Sequence, residues 1–327
     1  MKRVIFTCTL AVPLTALLSV SLAADVRTRE RTTIKFEGML GRVVGLFGGG
    51  KAAKEGIVST SAVKGERKAT MSDTAGQIID LGEEKVYDLD LRKKEYRVTT
   101  FDELRRRMKE AREKAEKEAA KEDPAEQQKA DPGREWEVDF KVDETGQRRQ
   151  IAGYDARQVI MTVTLREKGK ALDDSGGFVM TSDSWFGPEI DALKEMAAFD
   201  MRYYKQLYGE EAFGLSADQM AMVMAMYPML KKASERLQSE AEKLKGTALA
   251  MTTSFEAVRS KAEMTEQANQ GGSAGGGIGG MLARRVMKKE EPKQRATIFT
   301  TGYELQEVST SVDAADVAIP AGFKEKK

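Results

Sequence analysis

Period-two alternation of apolar and polar residues, in short runs parted by tight turns, constrains this chain more than any other feature. Over Val86–Leu91 it places Tyr87, Leu89 and Leu91 on one face and Asp88 and Asp90 on the other. Strands are predicted in the same way over Thr33–Glu37, Gly56–Val63, Arg67–Met71, Gln77–Leu81 and Tyr96–Thr99, with turns at Lys64–Glu66, Gly82–Glu84 and Arg92–Glu95. Runs this close together pair with their sequence neighbours, which predicts an antiparallel meander. Farther on, Trp136, Val138, Phe140 and Val142 alternate on one face, and Glu144–Gln147 predicts a turn before Ile151. Val159, Met161, Val163 and Leu165 share another face. Further strands are expected at Phe178–Trp185, Leu249–Phe255, Thr297–Thr301 and Tyr303–Ser309. A single sheet of roughly ten strands must curl.

Helices are fewer, which makes the class α+β. Thr100-Phe101-Asp102-Glu103 is a capping-box pattern and predicts a helix to about Glu122. Within this helical insertion, 101–133 with its polar linker, residues 101–123 carry eight basic and eight acidic residues. Pairs such as Asp102/Arg106 and Glu103/Arg107 have four-residue, acid-first spacing. Its apolar stripe (Phe101, Leu104, Met108, Ala111) is thin, so the helix leans on the sheet by its first two turns. Balanced charge excludes a basic nucleic-acid arm. A second helical segment spans 188–246. Pro188 suits a first turn, and Ile190, Leu193, Ala197, Met201, Tyr204 and Tyr208 recur at helical spacing before Gly209. Helix resumes at Ser216, bends near Pro228 and ends at Gly246. Two glycine-rich stretches, an insertion at 38–56 and a loop at 266–295, interrupt the pattern. Residues 271–280 alone hold seven glycines.

Residues 1–23 read as an export signal rather than as part of the fold. Lys2 and Arg3 precede an apolar stretch broken by Pro13, and Ser21-Leu22-Ala23 supplies small residues for cleavage near Ala23. The expected mature domain is 24–327, soluble and periplasmic. The single cysteine, Cys8, lies in the leader, so the domain holds together by packing alone.

Composition removes several chemistries. The chain has no histidine, which excludes Ser-His-Asp and Cys-His catalysis and histidine metal sites. With 53 Lys+Arg against 52 Asp+Glu, no global field favours nucleic acid. Gly45–Lys51 fits a phosphate-loop spacing, but Ala52 stands where a hydroxyl must hold magnesium. Ser61-Ala62-Val63-Lys64 matches an acylation motif yet lies on a predicted strand without its partner motifs. Asp88 and Asp90 are the polar side of a strand. We therefore expect no enzyme, no catalytic or metal-binding residues and no cofactor.

The richest binding signal is methionine. Met220, Met222, Met224, Met226 and Met229 fall within ten residues. Thioethers can select Cu(I), but they also form adaptable apolar surfaces. The segments Gly38–Phe47 and Gly280–Lys289 echo each other, each placing apolar and basic residues beside glycine runs. That suggests flaps that cover an apolar site or touch a membrane, or else two plain insertions.

Gly76–Leu81 through Lys85–Asp90, Ile151–Ala156 and the ending Val317–Phe323 resemble an uncharacterised family of exported bacterial proteins similar to the LolA/LolB and LppX superfamily. The resemblance implies a half-open barrel, a single curved sheet whose concave face is covered by helices and holds acyl chains or a lipoprotein. The expected function is thus a binding protein for a hydrophobic ligand, a lipid or lipidated protein of the cell envelope. Its expected ligand-binding residues are Trp136, Phe140, Met220, Met222, Met224, Met226, Met39, Leu40 and Phe47. The alternatives are an envelope scaffold docking a protein through the charged helix, and Cu(I) binding by the methionines.

Overall fold

The computed structural model describes residues 25–37, 55–119, 135–209, 235–270 and 294–326. The leader, the phosphate-loop-like stretch, Met39, Leu40, Phe47, the Met220–Met229 run and the glycines of 271–280 lie outside them. The described chain forms one sheet of twelve strands, not closed, in the order β12-β6-β5-β4-β3-β2-β1-β11-β10-β9-β8-β7. Strands β1 (Val26–Phe36), β2 (Ile57–Lys64), β3 (Arg67–Ser72), β4 (Ala75–Asp80), β5 (Lys85–Asp90) and β6 (Glu95–Thr100) form the first half. The second half comprises β7 (Trp136–Ile151), β8 (Tyr154–Glu167), β9 (Gly177–Gly187), β10 (Thr247–Val258) and β11 (Arg295–Ser309). The two-residue β12 (Lys324–Glu325) runs parallel to β6; every other pairing is antiparallel.

The β2–β6 meander matches the predicted strands closely, because its turns are short and its alternation clean. Two expectations are corrected in the second half. Glu144–Gln147 is not a turn but a register shift inside one long strand, with Gly146 at φ 76°. The extra residues are absorbed as a bulge because β8 continues as the partner on both sides. The actual turn is Ala152-Gly153, both at positive φ (50° and 83°), as a two-residue hairpin loop requires. Likewise Arg295–Ser309 is one strand rather than two. Between β8 and β9 lies a short helix, α2 (Leu172–Ser175).

Helix α1 (Phe101–Ala119) begins as predicted, with the Thr100 hydroxyl accepting the Glu103 N–H at 3.2 Å. Glu103 and Arg107 pair at 2.5 Å, whereas Arg106 turns forward to Glu110 (3.8 Å), and Arg105 takes Asp102. Phe101 is fully buried, but residues 109–114 are exposed, so α1 leaves the sheet after two turns. Helix α3 (Asp191–Tyr208) packs with it; of the predicted stripe Ile190 and Leu193 meet the core, but beyond them the buried stripe is a different one. Phe199 and Leu207 are buried with Ala192, Met196 and Tyr203 beside them, while Met201, Tyr204 and Tyr208 are exposed. The helix carries two apolar stripes one residue apart. The sheet takes the one that buries Phe199, and Lys68 fixes that rotation by an ion pair to Asp200 at 2.7 Å. A fourth helix, α4 (Lys261–Gln270), follows β10.

In the first half both faces of the sheet are packed. On one, Val26, Val63, Ile79, Leu81 and Val86 meet Phe101, Phe199 and Leu207. On the other, Ala62, Ala69, Ile78, Tyr87 and Leu89 meet Val312 and Val317, with Ile319 and Phe323 beside them. Adjacent residues such as Ala62/Val63 and Ile78/Ile79 therefore serve opposite cores, as strand geometry dictates. A third cluster joins Ile151, Ala156, Trp185, Leu249 and Leu305 to Ile190. There Gly246 (φ 104°) is required, since a Cβ would lie 2.2 Å from the Gly187 carbonyl oxygen.

Two stability outcomes follow from this packing. Phe101→Ala empties a fully buried ring site in edge contact with Tyr203 (5.4 Å). It is expected to lower the unfolding free energy by about 3–5 kcal/mol in urea titrations. Ala152→Asn places a residue that tolerates positive φ at the hairpin turn, and is expected to raise it by about 0.5–1 kcal/mol.

Candidate functional site

Residues directly opposite each other in an antiparallel ladder share a face, so register can be followed across the second half of the sheet. Phe36 lies opposite Phe299, Phe299 opposite Phe255, Phe255 opposite Met180, Met180 opposite Val163 and Val163 opposite Phe140. These six apolar residues form one row across β1, β11, β10, β9, β8 and β7. At the usual strand spacing such a row is about 24 Å long. Ring contacts agree: Phe255 stacks on Phe299 at 4.2 Å, and Phe36 tilts against Phe299 at 6.1 Å.

Flanking rows extend the apolar character. On one side stand Val138, Leu165, Phe178 and Ala257. On the other, Ile34, Thr301, Thr253, Ser182, Met161 and Val142 follow one another. Phe178 is 51% exposed and Ile34 43%. Members of the central row are half-buried. Toward the middle of the sheet the same face turns to hydroxyls, with Thr253 donating to Ser182 and Ser182 in contact with Ser184, each at 3.1 Å.

The reverse face of these strands is polar. Glu137, Asp139 and Lys141 alternate with the apolar residues of β7, and Arg166 on β8 donates to Asp139 (2.7 Å) and lies 3.3 Å from Glu137. The hydrogen bond to Asp139 raises the Arg166 pKa further above its ordinary value. The second half is thus apolar on one side and charged on the other, while the first half is packed on both.

Of the residues expected to bind ligand, Trp136 and Phe140 lie on β7 within this apolar face, both half-buried. Met39, Leu40, Phe47, Met220, Met222, Met224 and Met226 are outside the described residues. Sequence reasoning missed Phe36, Phe255, Phe299, Met180 and Phe178 as members of a site. All five lie within predicted strands, but only register shows that they stand side by side.

The motifs set aside in the sequence have structural roles. Ser61 and Lys64 are three apart on a strand and so point to opposite faces. Ser61 meets Thr70 at 3.1 Å, and Lys64 pairs with Asp25 and donates to the Val312 carbonyl at 3.0 Å. Asp90 caps its turn by accepting the N–H groups of Arg92 and Lys93, which holds its carboxyl below the usual range. A polar cleft of about 230 Å³ opens by Arg27 and Arg29, but Arg27 already faces Asp316 and Glu307 at 3.6 and 3.8 Å. Among the described residues no cluster of acidic side chains could hold a metal ion, and no helix is long and apolar enough to cross a membrane.

Tyr303 lies on the hydroxyl-bearing part of the face, opposite Met251. Burial, aided by the charge of Glu30, pushes its phenol up to about 12. Burial and a hydrogen bond to Glu83 do the same to Tyr87, also to about 12. A raised folded-state pKa means that the neutral form is the one the fold favours. This contribution is fully present below the unfolded phenol pKa of about 10 and is lost as pH climbs through about 12. Thermal unfolding followed against pH is expected to show stability falling in that window, with a smaller fall in Tyr303→Phe. No known protein family, curated protein or solved structure matches the chain.

Proposed function

We propose that this chain is a non-enzymatic binding protein for a hydrophobic ligand, a lipid or a lipidated protein. Its site is the row Phe36–Phe299–Phe255–Met180–Val163–Phe140. The observation that carries this reading is the contrast between the two halves of one sheet. In the first half α1, α3 and the C-terminal tail pack the sheet, whereas none of these buries the six-residue row in the second. An apolar strip of that length on one side of an otherwise polar half-sheet fits an extended aliphatic chain. Each buried methylene contributes about 0.8 kcal/mol, so a fatty chain lying along the row binds without any charged contact.

In this reading the sheet is a half-open barrel with its helices on the concave side, and Trp136 stands at the end of the site. Export through residues 1–23 would place it in the bacterial cell envelope, with a lipoprotein or a membrane surface as the natural donor or acceptor of ligand. A scaffold role is favoured by one separate feature, the exposed part of α1 beyond Met108, which projects a balanced charge pattern away from the sheet. Docking there would leave the apolar row without a task.

Native mass spectrometry of the purified protein, with and without added fatty acid or phospholipid, separates these readings. A bound lipid is expected, and Phe255→Asp should weaken fatty-acid uptake at least about tenfold, because a charge buried against the chain is not compensated. Tyr204→Asp, on the exposed stripe of α3, should leave uptake unchanged. A protein that takes up neither ligand overturns the carrier reading.

A further inference from the structure

An open sheet has two edges, and this one treats them differently. At β6 the C-terminal residues add β12, with Lys324 donating its N–H to Lys94 (3.0 Å) and Lys326 donating to Tyr96 (2.7 Å). At the other end β7, sixteen residues long, has no strand on its outer side among the described residues. Which of its backbone groups face outward follows from one hydrogen bond. The Lys168 N–H donates to the Glu135 carbonyl at 2.8 Å, so odd-numbered residues exchange bonds with β8. The N–H and C=O groups of Trp136, Val138, Phe140 and Val142 therefore point away from the sheet. The ammonium of Lys243 donating to the Val142 carbonyl at 3.2 Å agrees with this.

We propose that this edge pairs with the same edge of a second copy of the chain, antiparallel and centred on Phe140. Unpaired strand edges of this kind are templates for another chain, and the charges of β7 select the register. With the two-fold axis at Phe140, each Asp139 faces Lys141 of the other copy, twice over. Glu137 and Asp143 also come opposite each other; Arg166 lies between Asp139 (2.7 Å) and Glu137 (3.3 Å), and Lys141, 2.6 Å from Asp143, is shared between Asp143 and Asp139 of the other copy. Neighbouring registers are worse. Centring on Asp139 or on Lys141 sets like charges face to face. Centring on Val138 sets Glu137 against Asp139, and centring on Val142 brings the bulge at Glu144 opposite Phe140, inside the paired stretch.

The Phe140-centred register has a second consequence, independent of charge. Phe140 ends the six-residue apolar row, so pairing it with its copy joins two rows into one strip across twelve strands. Val138 then meets Val142 on the same apolar side. The pairing does not depend on whether that side carries a lipid.

Sedimentation velocity over a wide concentration range is expected to show a species of twice the chain mass. Asp139→Lys alone places lysines opposite lysines, and Lys141→Asp alone places aspartates opposite aspartates, so each is expected to be monomeric. An equimolar mixture of the two restores every opposite-charge pair and is expected to regain the dimer. Val138→Pro removes an outward N–H that β8 does not use, and is expected to give a monomer whose urea unfolding is cooperative. A wild-type protein that stays monomeric throughout, a dimer that survives both single charge changes, or a mixture that stays monomeric overturns the proposal.

Discussion

The ladder between β1 and β11 holds this structure together as one object. Without it the chain would form two separate meanders, β1–β6 and β7–β11, each with its own edges. Arg27 lies opposite Ser309 and Phe36 opposite Phe299, so the pairing joins the first described strand to the last long one over its full length. A bulge at Arg29/Glu30 adjusts the register within it, and still leaves Val26 and Val308 beside the helical core and Phe36 in the apolar row. Such non-local pairing costs chain entropy before any contact repays it. The helices then secure one end of the joint, since Val26 of β1 and Val63 of β2 pack under Phe199 and Leu207.

That joint also divides the sheet into halves with different physics. In the first half, short strands and tight turns expose two faces, and both are buried: one by α1 and α3, the other by the tail through Val312, Val317, Ile319 and Phe323. In the second half the strands are longer than the helices that reach them, and one face is charged. Arg166, Asp139 and Glu137 need water or each other on that side. Their presence directs the apolar residues of the same strands to the opposite side, where Phe255 and Phe299 stack. A binding reading of the molecule depends on this asymmetry rather than on any reactive group.

Legibility followed the range of the interaction. The strands of the β2–β6 meander, the capped start of α1 and the positions of Trp136 and Phe140 on one face could all be read from neighbours a few residues apart. The stripe of α3 could not, because its sequence offers two stripes and only contact with the sheet and Lys68 chooses between them. Glu144–Gln147 has turn composition but lies inside a strand, since β8 supplies a partner beyond it and Ala152-Gly153 is the better hairpin. The ending Val317–Phe323 is legible as a motif, yet nothing local says that it covers one core and leads into the edge strand Lys324–Glu325 beside β6.

The sequence by itself determined the strands of the β2–β6 meander, which side chains share a face within each strand, and that catalysis based on histidine or a cysteine–histidine pair is absent. Alternation with a period of two is a property of each strand alone, so no partner is needed to read it. The tertiary structure decided which strands lie side by side and in what register. Only that decision turns Phe36, Phe299, Phe255, Met180, Val163 and Phe140, drawn from positions spread along almost the whole chain, into a continuous surface. Pairing energy is nearly the same for many registers. The choice among them rests on the sum of distant contacts, which no single segment of the sequence contains.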